Sequence, residues 1–167
     1  MAIEIREADF DDASHCRGVL DVLDAYAAEP NGGGVPLSSE VRERLIPALR
    51  ELPSALVLLA FTGAAPVGIA SCFFGFSTFY ARPLLNVHDL AVLPAHRGRG
   101  IGRALLAAVE ERAIARGCCK LTLEVLEENH RARALYHARG FRDFELAGKT
   151  YPTLFLSKPL SAASPGA

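Results

Sequence analysis

His96-Arg-Gly-Arg-Gly-Ile-Gly102, HRGRGIG, lies between an apolar run that reads as a strand and an amphipathic run that reads as a helix. Three glycines and two arginines at this joint leave three readings open: a tight turn, a nucleic-acid contact, or a cradle for a phosphate-bearing cofactor. After a strand, a helix N-terminus presents unpaired backbone N–H groups and a partial positive charge. Glycine lets such a backbone approach an anion closely, because no Cβ intervenes. The combination binds phosphate or pyrophosphate. Arg97, Arg99 and Arg103 add mobile positive charge at the same spot.

Two nucleotide motifs fail here. A Walker loop requires a lysine, and this turn has none. A dinucleotide fingerprint requires GxGxxG at the first strand–helix joint, whereas Gly98, Gly100 and Gly102 come in mid-chain.

Working outward, LLNVHDLAVL (84–93) precedes the turn as a strand, and IGRALLAAVEERAIARG follows it as a helix stopped by Gly117. Upstream, ALVLLAFT (55–62) and PVGIASCFFGFSTF (66–79) form a hairpin across GAAP. AIEIREA alternates as an edge strand. Asp9 or Asp11 then caps a helix with Val19, Leu20, Val22, Leu23 and Tyr26 on its apolar positions. EPNGGGVPLSS breaks that helix. SSEVRERLIPALREL starts a second one at Ser38 or Ser39, with Pro47 predicting a kink or a division. Downstream, CCKLTLEVL reads as a buried strand, and ENHRARALYHARG as a short helix capped by Asn129 and closed by Gly140. FRDFELAG and YPTLFLSKPL read as a final antiparallel pair. The order βααβββαβαββ implies an α/β (α+β) fold: a mixed central sheet with helices on both faces.

A chain of 167 residues, half of them hydrophobic and 22% charged, fits one soluble domain. We place that domain at 1–160 and a loose tail at 161–167. No apolar run approaches the ~20 residues of a membrane span, and the start lacks a secretory pattern, which points to the cytoplasm. Cys16, Cys72, Cys118 and Cys119 form no CxxC pair, and none is at metal-ligand spacing with a histidine. They read as free thiols, with Cys118 and Cys119 on opposite faces of a strand. No metal is expected. A net charge of −1 argues against nucleic acid as a partner. The local arginine cluster suits a small anion better. Asp9, Asp11, Asp12, Asp21, Asp24 and Glu29 crowd the first thirty residues, as a solvated helix face or as an attractor for a cation.

RxxGxG (Arg97 to Gly102), preceded by HDLAVLPAH and followed downstream by NHRARALYHARGF, resembles the GCN5-related N-acetyltransferase superfamily. The resemblance is strong over 84–141, topological over 1–83, and only in outline beyond 141. It implies a sheet of about seven strands and acetyl-CoA as co-substrate. It also implies that the backbone of Leu90, Ala91 and Val92 pairs with the pantetheine arm. The amides of Gly98, Arg99, Gly100, Ile101, Gly102 and Arg103 would meet the pyrophosphate. Arg97 would order the loop or touch phosphate, and Arg99 would lie exposed near the nucleotide. Asn129 corresponds to the family's arm-contacting Asn, with helix capping as its structural role. Tyr136 corresponds to the tyrosine that faces the thioester sulfur; its alternative is a packed aromatic. Family members often pair as homodimers, which leaves that state open here.

The resemblance also frames the chemistry. The acceptor amine must be neutral to attack, yet an alkylamine has a pKa near ~10.4. Relatives in the polyamine branch carry a Glu-Asp pair on the strand before the turn, where this chain has His88-Asp89. Strand alternation puts Asn86, His88, Leu90 and Val92 on one face and Asp89 on the other. His88 and Asn86 are therefore the candidates to meet the acceptor, His88 as a base, against a water relay, another residue or a merely satisfied histidine, while Asp89 reads as a structural hydrogen-bonding residue. Val92 N–H is a candidate oxyanion donor. FGFSTF followed by HDLAV looks like the polyamine and diamine branch, which implies a small primary amine as acceptor, with its pocket built from the first two helices, the NGGG loop (31–34) and the FFGFSTFYARP stretch (73–83). A protein or peptide amine, an aminoglycoside, or a non-catalytic acyl-CoA-binding module remain the alternatives.

Overall fold

The computed structural model describes residues 2–146, 148–150, 153–158 and 160. The expected order of elements is observed. Strand β1 (Ile3–Glu7) is followed by helices α1 (Ala13–Ala27) and α2 (Ser39–Arg50), then by β2 (Ala55–Thr62), β3 (Ala65–Ser77) and β4 (Arg82–Val92). Helix α3 (Ile101–Ala115), β5 (Leu121–Leu123), α4 (His130–Ala138), β6 (Glu145–Leu146) and β7 (Lys149–Thr150) complete it.

The central sheet runs β1-β2-β3-β4-β5. Its pairs are antiparallel except β4 with β5, which are parallel because α3 carries the chain back across the sheet. Two apolar layers result. Leu58, Val67, Leu85, Leu105, Leu106 and Val109 pack on the α3 side. Val19, Val22, Leu49, Leu59, Phe61 and Ile69 pack under α1 and α2. No helix among the described residues is long and apolar enough to cross a membrane.

The expected seven-strand sheet is corrected to five, because β6 and β7 form a separate two-stranded ribbon. Each has two residues, and Glu145, Lys149 and Thr150 give the ribbon little apolar surface to bury against the sheet. Residues 153–158 and 160 form no strand, and the rest of the expected YPTLFLSKPL strand and the tail 161–167 fall outside the described residues.

Cys118 and Cys119 are not in a strand. The helix cap uses that segment first: Cys118 N–H donates to Ala113 O and Gly117 N–H to Ile114 O, both at 2.9 Å. These two bonds close α3 with a left-handed glycine between them, which delays β5 to Leu121. All four cysteines are free; Cys72 is buried, and burial pushes its thiol up to about 12.

Helix α1 is capped by neither Asp9 nor Asp11 but starts later, after Asp12. Asp12 caps it by accepting from Ser14 N–H (2.7 Å) and, at longer range, His15 N–H (3.4 Å). Asp9 instead accepts from Asp11 N–H, and its own N–H donates to His15 Nδ1. Pro47 does not divide α2, which runs unbroken from its Ser38 cap.

A cleft at the end of the fourth strand

The feature that matters most for the site is a bulge. Ser71 pairs with Asp89 but Cys72 pairs with Val87, so His88 is an extra residue on β4. Such an insertion changes which side the following residues face. Leu85 and Val87 belong to the α3-side core, and so do Leu90 and Val92 beyond the bulge. Ala91 packs on the α1 side, which puts Asp89 there too. The simple alternation expected for Asn86, His88, Leu90 and Val92 is therefore corrected: Leu90 and Val92 lie on the opposite face from Asn86. Asn86 Nδ2 donates to Thr122 Oγ1 on β5 at 3.1 Å. His88 is exposed, its ring edge-on to Phe73 with centroids 5.5 Å apart.

Beyond the bulge, β4 opens into a cleft of about 380 Å³. One wall holds Leu90, Ala91 and Val92, then Arg97, Gly98, Gly100, Ile101, Gly102 and Arg103. Asn129 and Tyr136 of the α4 segment join it. Of the expected cofactor residues only Arg99 is off the wall; it is exposed. Asn86 and His88 are also off it.

Gly100 stands at the N-cap of α3 with φ 82°, and no side chain caps the helix. Gly98 has φ 77°, and a Cβ at either position would meet open space. Among the described residues no carbonyl or side chain takes the N–H groups of 98–103. The first turn of α3 thus offers free donors beside an empty approach, which fits a diphosphate. Arg97 is held differently from Arg103. Its Nε donates to Val92 O at 2.7 Å, and its Nη2 pairs with Glu29. Arg97 therefore ties the loop to the strand end and to the segment after α1.

Helix α4 is closed by the same paired bonds as α3. Phe141 N–H donates to Tyr136 O and Gly140 N–H to His137 O, each at 3.0 Å. Gly140 has φ 90°, and the cap brings Phe141 against the Tyr136 ring at 5.8 Å. Burial, with a smaller contribution from Tyr26, pushes the Tyr136 phenol up to about 12. It stays protonated at neutral pH and so remains a donor. Asn129 caps α4 through Oδ1, which accepts from Ala132 N–H at 3.2 Å.

The facing wall comes from Tyr26, Glu29 and Asn31. Burial raises the Tyr26 phenol, and the charges of Asp89 and Glu29 add to it. Burial also raises the Asp89 carboxyl, against the opposing pull of His88 and Ser71. The Ser71 hydroxyl is near enough to act on that charge, but it closes no hydrogen bond of good geometry. Tyr26 and Asn31 fall within the expected acceptor region of the first helices and the NGGG loop, no residue of the FFGFSTFYARP stretch lines the cleft, and His96, Arg131, Ala132 and Leu135 line it without having been expected. Tyr26 had a signal only as an apolar helix position, and Glu29 only as one of many acids. Among the described residues, no three His, Cys, Asp or Glu side chains converge as a metal site.

Residues 20–141 match the family described as Acetyltransferase (GNAT) family. Thialysine N-epsilon-acetyltransferase from Bos taurus is 40% identical over 81 residues, 48% of this chain and 47% of that protein. The chain spans about half the length of the curated thialysine N-epsilon-acetyltransferases it matches. Uncharacterized N-acetyltransferase YhfO from Bacillus subtilis is 29% identical over 101 residues, 60% of this chain and 68% of that one. A solved structure from Arthrobacter sp. FB24, provisionally described as an acetyltransferase, is 33% identical. It covers 94% of this chain and 96% of its own, with a TM-score of 0.76.

Proposed function

This chain belongs to the acetyltransferase (GNAT) family, and from that premise we propose that it moves an acetyl group from acetyl-CoA to the primary amine of a small molecule. One observation carries the reading: an uncapped helix N-terminus, approached over left-handed glycines, forms a wall of the same cleft that holds Tyr136.

Acetyl-CoA supplies the activated acyl group as a thioester. The chain's residues bind and aim it. Free N–H groups at 98–103 grip the diphosphate, with Arg103 adding charge. The backbone of Leu90 to Val92 lies along the cleft, where the pantetheine arm can pair with it, and Val92 N–H is placed to receive a developing oxyanion. Asn129 serves first as the α4 cap, and Tyr136 holds the proton that the departing thiolate needs. The acceptor enters from the side of Tyr26, Glu29 and Asn31, whose acidic and phenolic groups suit a cationic amine. The partial match to the thialysine acetyltransferases supports a small amine over a protein lysine.

The test is thiol release from acetyl-CoA with a panel of thialysine, lysine, diaminobutane, an aminoglycoside and a peptide N-terminus, alongside calorimetry with CoA. Saturable CoA binding with turnover on a small amine is expected. Turnover only on the peptide would move the assignment to protein acetylation. Binding with no turnover on any amine would leave an acyl-CoA-binding module.

A further inference from the structure

The four cysteines differ in what surrounds them. Cys72 is buried, and Cys16 Sγ donates to Phe10 O at 3.3 Å. Cys118 and Cys119 are adjacent, free and partly exposed. In a strand their side chains would point to opposite faces. They stand instead between left-handed Gly117 (φ 69°) and the start of β5, in a bend where that alternation does not hold. Both backbone N–H groups are committed, Cys118 to Ala113 O at 2.9 Å and Cys119 to Pro83 O at 2.8 Å. The pair is thus fixed to the end of α3 and to the start of β4.

The surroundings are cationic. Arg82 Nη2 donates to Gly117 O at 3.0 Å, Arg116 lies over the Phe74 ring at 4.4 Å, and Lys120 lies over Tyr80 at 5.8 Å. Among the described residues none of these three cations is paired with a carboxylate. Burial raises the Cys118 thiol, and Cys119 adds to the shift, so the two sulfurs act on one another. Arg116 and Arg82 pull the other way. Thiolate is the form that binds soft centres, and neighbouring cations favour it.

We propose that Cys118 and Cys119 form a two-thiol site for a soft trivalent metalloid of the arsenoxide type. One arsenic takes both sulfurs. With phenylarsine oxide, two S–H bonds and the As=O bond break, two As–S bonds form, and the oxygen leaves with both protons as water. Arsenic stays trivalent, so no oxidant or reductant is required. The second As–S bond closes within the chain, which is why a thiol pair holds the metalloid where one thiol does not. Pro83 begins β4, whereas the cleft lies beyond the bulge at the other end of that strand. The site is therefore separate from the cleft, and the inference stands apart from the acetyltransferase reading.

The experiment incubates the reduced full chain with phenylarsine oxide, removes the excess in the presence of a monothiol, and reads retained arsenic and intact mass. Wild type should keep one equivalent, released by a small dithiol, with CoA affinity unchanged by calorimetry. Cys118→Ser and Cys119→Ser should each weaken retention about 100-fold. Cys16→Ser and Cys72→Ala should keep the equivalent. Circular dichroism and alkylation of the remaining thiol check that the two serine variants are folded and reactive. Arg116→Gln should slow capture about threefold at neutral pH, because it leaves the Cys118 thiol higher. The proposal is overturned if wild type retains no arsenic, or if either serine variant retains it as wild type does. It is equally overturned if folded Cys16→Ser or Cys72→Ala loses it, or if capture abolishes CoA binding. An unaltered capture rate in Arg116→Gln overturns the part assigned to the cations.

Discussion

The two walls of the cleft are built in opposite ways. The α3 wall is contiguous: residues 97–103 form a single turn, and all but Arg99 line the cleft. The facing wall is assembled from Tyr26 at the end of α1 and from Glu29 and Asn31 in the loop after it, roughly sixty positions before Leu90 in sequence. Local donors at a helix start depend on backbone conformation over a few residues. The second wall depends on the sheet register and on α1 packing across it. A contiguous wall should fail through its own backbone, a composite one through any of its distant parts.

Tyr136→Phe should have the largest effect. Loss of the phenolic proton should lower kcat on the order of 100-fold while CoA affinity holds, read by steady-state kinetics and calorimetry. The same variant reports on burial. The folded phenol titrates near 12 against ~10 unfolded, so its contribution is present below pH 10 and lost as pH rises from there toward 12. Melting scans from pH 9 to 11.5 should show wild type losing more stability than Tyr136→Phe.

Gly100→Val comes next, at about a tenfold or greater loss of CoA affinity. A β-branched residue at φ 82° is strained and must reshape the first turn of α3. Unchanged affinity would show that the contiguous wall does not bind through its backbone. Gly140→Ala tests a distant support. At φ 90° it should cost about 1 kcal/mol in melting experiments. It should also lower kcat more than it weakens CoA, because the cap that sets Phe141 against Tyr136 shifts. Glu29→Gln is the smallest. Releasing Arg97 and removing a negative charge from the cleft should tighten CoA about threefold, an effect that fades with added salt. An equal gain at high salt would point to loop packing instead of charge.

Much of this was legible in the residues. The order of elements, the β2 bounds, the Ser38 and Asn129 caps and the glycine stops of α3 and α4 all follow from local signals. Errors arose where a neighbour overrode the local pattern. Cys118 was claimed by the α3 cap rather than by a strand, and the end of FRDFELAG pairs in a ribbon with Lys149–Thr150 rather than with the expected YPTLFLSKPL strand. The face assignments along β4 failed at His88, because strand periodicity carries no mark of an inserted residue.

The sequence by itself determined the open glycine turn at the start of α3, since glycine conformation, helix polarity and arginine content are properties of adjacent residues. Only the tertiary structure decided which side of β4 each polar residue meets, that Arg97 is tied to Glu29, and that Tyr26 stands across from Tyr136. Those outcomes depend on strand register and helix packing between segments far apart in the chain.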